Sequence, residues 1–179
     1  EVNELGEAFY ALSPSGQKLA VKGIHELMNW QREDGTLYAP VPAGNWDKEL
    51  PLQMLASIGW YGFYTQYYYS ADSSFVPVIY DRMRRYLHEV WQVDKSGLVI
   101  ERQGAWSWGD WGEHVDMGVL TNCWYYLALK AERAFALQLG KDKDADEISQ
   151  MMRSIERCFD TKFWTGSAYR SPGYKGETD

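Results

Sequence analysis

PLQMLASIGWYGFYTQYYYS, residues 51–70, runs for twenty positions without an aspartate, glutamate, lysine or arginine. A stretch this long and this poor in charge is either a membrane span or a helix buried on all sides. Gln53, Ser57, Gln66 and the tyrosine run at 67–69 argue against lipid. A second stretch of the same kind, MGVLTNCWYYLAL at 117–129, opens a helix that turns charged from Lys130 onward. Both therefore read as inner helices of a soluble bundle, and no membrane partner is expected.

The segments around them have the opposite character. A helix from about Ser15 to Gln31 carries Ala20, Ile24, Leu27 and Met28 on one face. Another, from about Ser73 to Gln92, repeats Phe75, Ile79, Met83, Leu87, Val90 and Trp91 at three- and four-residue steps, with Asp72 as its candidate N-cap. Its other face holds Asp81, Arg82, Arg84, Arg85 and Glu89. A fifth helix, about Lys143 to Phe159, carries a stripe of Ala145, Ile148, Met152, Ile155 and Phe159. Asp116 fits the N-cap of the 117–139 helix and Gly140 its C-terminal stop.

Connections alternate as well. SAD (70–72) and GKD (140–142) are short links between an inner and an outer helix, whereas about twenty residues precede each inner helix. A third long segment, TKFWTGSAYRSPGYKGETD, covers 161–179. Loops this long are usually functional or disordered, and antiparallel neighbours place all of them at one end. That end holds the N-termini of the inner helices, whose free N–H groups favour polar or anionic ligands. The expected fold is all-α: a helical-hairpin (α/α) toroid, partial, of about two and a half hairpins, with residues 1–179 as a single fragment. Strand structure is expected only as short hairpins in the loops, at TLYAPV (36–41) and GLVIERQ (97–103).

Composition narrows the function. The 179 residues are 45% hydrophobic and 24% charged, enough for one domain with a core. A net charge of −7, with no basic cluster beyond DRMRR at 81–85, excludes nucleic acid as an expected partner. Cys123 and Cys158 sit in apolar helical patterns and read as buried free thiols; no metal-ligand spacing accompanies them, and no metal or cofactor is expected. The run DKDAD (142–146) lacks the glycine and glutamate of a calcium loop and reads as the acidic first turn of a helix. EVNELGE at 1–7 is not a secretory leader, although so abrupt a start is compatible with one removed.

Aromatic residues make up 16%, including nine tryptophans and thirteen tyrosines, and they gather in the long loops. GAWSWGDWGEHVDMG (104–118) holds Trp106, Trp108 and Trp111 beside Asp110, Glu113, His114 and Asp116. The loop before the other inner helix, REDGTLYAPVPAGNWDKELP (32–51), sets Trp46 beside Asp47. Aromatic faces stack on the C–H side of sugar rings and carboxylates accept from hydroxyls, so tryptophans and acids converging at one end suggest a carbohydrate site. Asp110 and Glu113 are the carboxylates available for catalysis; Trp111, Asp110, Trp46, Asp47, Trp60 and Trp108 are the candidate substrate-binding residues. Trp106 reads equally as packing, and Trp60, inside an apolar helix, equally as core. Glycoside hydrolysis by inversion needs carboxyls about 6.5–9.5 Å apart, which a spacing of three in a loop does not fix.

The order MNWQREDGTLYAPVP (28–42), NWDKELPLQMLASIGWYGFY (45–64), YDRMRRYL (80–87), WSWGDWGE (106–113) and TNCWYYLALKAERAFALQLGK (121–141) resembles the catalytic domain of family 78 glycoside hydrolases, the bacterial α-L-rhamnosidases. The resemblance covers most of residues 20–164. It implies an (α/α)6 six-hairpin toroid, inverting hydrolysis of terminal α-L-rhamnosides, a rhamnose-containing glycan as partner, and a periplasmic or extracellular setting. By that likeness Asp110 and Trp111 line the sugar pocket, with Trp46, Asp47 and Trp60 as weaker candidates. The chain departs from the family at the general acid, whose DxxxxERxGWxGD-type motif is absent, and the general base is expected beyond residue 179. The chain thus resembles the middle of a catalytic domain, to be completed by the remaining parts of its parent. Two other readings stand beside this one: a trehalase- or glucoamylase-like helical-toroid hydrolase, and a non-catalytic carbohydrate-binding helical module. A protein-binding helical scaffold would not need long aromatic loops.

Overall fold

The computed structural model describes residues 14–39, 41, 48–102, 106, 109, 112 and 114–176. Helix α1 (Pro14–Asn29) buries Ala20, Ile24 and Met28 along one i, i+4 row. The first inner rod is α2 (Pro51–Ile58), a π-helical turn (Trp60–Tyr64) and α3 (Thr65–Ser70). Helix α4 (Val76–Arg85) continues into a second π-helical segment, Tyr86–Val90. The second inner rod is α5 (Met117–Gln138), followed by α6 (Asp142–Phe163).

Helix α5 is the centre of the packing. It lies against α2 and its π turn on one side and against α4 and α6 on others, while α1 packs on α3 and α4. Ala128, Ala131 and Ala136 are fully buried and let neighbours approach; Tyr125, Leu129 and Phe135 fill the space between. The two charge-poor rods are thus neighbours, flanked by the amphipathic α1, α4 and α6, as the alternation in the sequence predicts.

Local detail differs from expectation where tertiary contacts decide it. Periodicity predicts one helix over 51–70, yet Gly59 breaks it with an extended backbone (φ −86°, ψ −155°). A Cβ at Gly59 would stand 3.2 Å from Ala128 Cα and 2.7 Å from the Leu55 carbonyl oxygen, so the inner rods approach closely here because there is no side chain. Asp72 does not cap α4. Its Oδ1 accepts from Ser74 N–H at 2.9 Å, closing a tight turn, and the helix begins only after Phe75. Asp116 does cap α5, accepting from Val119 N–H at 3.2 Å. At the other end Gly140 (φ +68°) allows Lys141 N–H to reach the Ala136 carbonyl at 2.9 Å and Gly140 N–H the Leu137 carbonyl at 3.1 Å, a Schellman closure. Helix α6 opens on Asp142 and Asp144 and runs four residues past the predicted Phe159, burying Phe163.

Both cysteines are free, but they are not buried: Cys123 is exposed and Cys158 half-buried. Cys123 shares its face of α5 with Leu137, 48% exposed. Strand structure among the described residues is limited to two isolated bridges, Val93–Val99 and Trp164–Tyr169. The first matches the expected GLVIERQ hairpin; the described part of TLYAPV makes no bridge.

The short links lie at one end of the bundle, where Tyr80 donates to Asp144 at 2.9 Å and the Lys141 ammonium sits 4.7 Å over the Tyr80 ring. In the interior, Glu132 is fully buried and bound by His88 Nε2 at 2.9 Å and by Arg84 at 3.5 Å. This polar knot ties α4 and its π extension to α5.

Candidate functional site

The long segments meet at the opposite end. In the first, Asp34 Oδ1 accepts from Thr36 N–H at 2.9 Å and from its hydroxyl at 2.7 Å, and these bonds hold the Asp34 carboxyl below its ordinary pKa. Arg32 then closes the loop. Its guanidinium donates to Thr36 Oγ1 at 3.0 Å and to the Lys48 carbonyl at 3.2 Å, and Ala39 N–H donates to that same carbonyl at 3.0 Å. Residues 42–47, and with them Trp46 and Asp47, lie outside the described residues.

Immediately after that closure comes Glu49, 8% exposed. Arg102, at the root of the second long segment, forms an ion pair with Glu49 Oε1, and the fully buried Tyr86 hydroxyl donates to the same oxygen at 3.1 Å. Burial, aided by the Glu49 charge, pushes the Tyr86 phenol well above its usual value. Burial works against the Arg102 cation, but the bond and charge of Glu49 outweigh it and raise its pKa. The Arg102 guanidinium also sits 5.4 Å from the Trp91 ring centre. Pro51, Leu52, Trp91, Arg102, Met117 and Thr121 surround what little space remains there, about 10 Å³, so the starts of both inner rods and the roots of both loops converge on one seam.

The second segment is anchored from within by Asn122 of α5, which accepts from Val99 N–H at 2.8 Å. Trp108, Asp110, Trp111 and Glu113 lie outside the described residues, as do 103–105 and Ser107. Their neighbours are placed. A Cβ on Gly109 would fall 2.5 Å from Val115 Cγ1, and one on Gly112 would fall 2.7 Å from Val115 Cγ2. The glycines on either side of Asp110–Trp111 therefore press on Val115, one residue ahead of the Asp116 cap. Trp106 is 48% exposed and His114 is exposed.

The third segment docks on the same cap. Asp116 accepts from Ser171 N–H at 2.5 Å and from its hydroxyl at 2.6 Å. Burial opposes the Asp116 charge, but these bonds and those from the helix N–H groups prevail and lower its pKa.

Trp60 is the candidate binding residue that the structure describes, and it sits in the π turn halfway along the first inner rod. Tyr64 stacks on it at 4.0 Å and 18°, and the Lys130 ammonium lies 3.8 Å over its ring. Two such partners require opposite faces, so neither indole face is open. Glu49, Arg102, Tyr86 and Arg32 are the organising residues that composition did not single out. The bonds from Arg32 to Lys48, Tyr86 to Glu49 and Arg102 to Glu49 span 16 to 53 positions, beyond any local pattern.

No curated protein and no solved structure matches this chain. The family model described as the bacterial alpha-L-rhamnosidase 6 hairpin glycosidase domain matches residues 11–179, and the chain belongs to that family.

Proposed function

We propose, from that membership, that the chain forms part of a six-hairpin glycoside hydrolase that releases terminal α-L-rhamnose with inversion. Within it, this chain supplies the loops that line the sugar pocket. The observation that carries the reading is the convergence of all three long segments over the starts of the two inner rods, through Glu49–Arg102 and Asp116–Ser171. These ties fix the roots of the loops that carry the acids and tryptophans. Asp110 and Asp47 accept from sugar hydroxyls, Trp111, Trp46 and Trp108 offer apolar faces, and Trp60 supports the wall from behind. Glu113 is a further carboxylate at hand. The general acid and base come from the rest of the catalytic domain, for which residues 1–179 are a fragment.

Hydrolysis of p-nitrophenyl α-L-rhamnoside by the parent protein tests this, with Asp110→Asn and Trp111→Ala measured beside it. The expected result is turnover by the parent and a loss of at least tenfold in kcat/KM in folded variants. Turnover of glucosides but not rhamnosides would move the substrate to another toroid hydrolase. Saccharide affinity without turnover on any glycoside would leave a binding module.

A further inference from the structure

A solvent-open cleft of about 560 Å³ lies where α1 ends, lined by Asn29, Trp30, Gln31, Arg32, Glu33, Asp34 and Tyr38. Arg32 and Asp34 also shape the first long segment described above, and the other lining residues stand apart from that site. Trp30 is 38% exposed and meets Tyr38 edge-on, with ring centres 6.0 Å apart and planes at 88°. The Arg32 guanidinium lies 3.8 Å from the Tyr38 ring centre, so Tyr38 is held between Arg32 and Trp30.

The cleft is fastened on every side. Gln31 Nε2 donates to the Gly35 carbonyl at 2.9 Å and the Arg82 carbonyl at 3.1 Å. Arg82 donates in turn to the Met28 carbonyl at 2.6 Å and to Asn29 Oδ1 at 3.0 Å, and Arg85 donates to the Glu33 carbonyl. Gly35 takes φ +87° and presses on Val90, so a side chain there would push the turn off the π-helical extension of α4.

Within this rigid frame several polar groups are unused. Among the described residues the Trp30 indole N–H, the Tyr38 hydroxyl and the Glu33 carboxylate have no hydrogen-bond partner. Both bonds to Asp34 fall on Oδ1, which leaves the acceptor capacity of Oδ2. The lining therefore combines an exposed indole, two donors and two carboxylate acceptors. Two acids against one arginine disfavour an anion, and with Arg32 on the Tyr38 ring there is no open aromatic cage for a cation.

The geometry points to a second saccharide-binding site at Trp30 and Tyr38, which takes a neutral sugar unit of a longer chain away from the bond being cleaved. This rests on the carbohydrate reading of the loops. Binding energy from such a remote unit can be used at the reacting centre, and Arg32, through the Lys48 carbonyl, joins the cleft directly to the root of the first pocket loop.

The test is calorimetric titration of the intact protein with an α-L-rhamnose-terminated tetrasaccharide, in the cold and over times that chromatography shows too short for turnover. Trp30→Ala is expected to weaken binding about tenfold, whereas Trp30→Phe, which keeps an apolar ring, retains most of it. Equal affinity of wild type and Trp30→Ala, or no tetrasaccharide binding by wild type, overturns the proposal. Hydrolysis of p-nitrophenyl α-L-rhamnoside by wild type is read separately. Its absence counts against the rhamnosidase reading, while Trp30-dependent binding still upholds the cleft.

Discussion

Replacing Arg102 with methionine isolates the contribution of the strut between the loops. Methionine keeps the unbranched apolar stem that crosses the seam and removes the guanidinium. Glu49, its side chain 7% exposed, would then retain the Tyr86 hydroxyl at 3.1 Å as its described partner. Removing one member of a buried ion pair costs about 3–5 kcal/mol, because the other charge is left without compensation. Arg102 is 16% exposed, which admits some solvent and places the cost near the lower end, at about 3 kcal/mol. For a domain of this size each kcal/mol moves the melting temperature by about 2–4 °C, so a fall of roughly 6–12 °C is expected. Thermal melting followed by circular dichroism at 222 nm reads it. A double variant, Glu49→Leu with Arg102→Met, removes both charges and should melt above Arg102→Met alone. If Arg102→Met melts within about 2 °C of wild type, or the double variant is worse by the sum of both losses, the strut is not what holds the two loop roots together.

Three further outcomes follow from the packing. Gly59→Ala puts a methyl 3.2 Å from Ala128 Cα, and forcing the inner rods apart should cost about 1–3 kcal/mol in urea denaturation; an unchanged midpoint would remove the close approach as the reason for the break at Gly59. Asp116→Ala loses the α5 cap and the Ser171 bonds, a cost of about 1–2 kcal/mol at pH 7. Because folding lowers the Asp116 pKa below its reference value of 3.8, that contribution is complete well above this pH and is lost as pH falls through the lower folded value. The gap between variant and wild type in an acid titration should therefore close below about pH 4, and a gap that widens there would contradict the assignment. Finally, the inner rods expose Tyr61, Tyr68, Tyr69 and Leu137 at 55%, 68%, 63% and 48%. Sedimentation velocity should show the isolated chain self-associating, less so with Tyr68→Lys; a dilute, well-behaved monomer would count against an incomplete toroid.

The helical plan is legible in sequence because it depends on local quantities. Absence of charge over 51–70 and 117–129 marks the two inner rods, although Tyr61, Tyr68 and Tyr69 of the first stay exposed, and Asp116 and Gly140 mark the ends of α5 through the chemistry of their own side chains and backbone. What fails is what a neighbour decides. Asp72 looks like a cap, yet it belongs to a repeated turn in which an aspartate binds the serine or threonine two residues on, as at Asp34–Thr36 and Asp94–Ser96. That spacing is visible in the sequence, but an N-cap aspartate also accepts from the N–H two or three residues on, so the spacing by itself does not separate a turn from a cap. Gly59 and Gly62 inside an apolar helix are also a visible signal of a break. Its cause is not visible, since Ala128 lies sixty-nine positions away. Cys123 sits in an apolar pattern and is nonetheless exposed.

For the proposed site, composition points to a region but does not rank its residues. Trp60 lies inside the first inner rod and Trp30 just past the end of α1, and the sequence alone marks Trp60 as a binding candidate. In the structure Trp60 has Tyr64 on one face and Lys130 over the other, so its aromatic surface is already used in holding the two inner rods together. Trp30 meets Tyr38 at nearly a right angle, stands over a third exposed and, among the described residues, keeps an indole N–H without a partner. A tryptophan that works on a ligand must retain an apolar face or a donor that the fold has not consumed. By that criterion the number of tryptophans says little, and the partners of each say most. Glu49 gives the converse result: a carboxylate between Asp47 and an inner helix, it binds both Arg102 and Tyr86 through Oε1 and ties the two loop roots together.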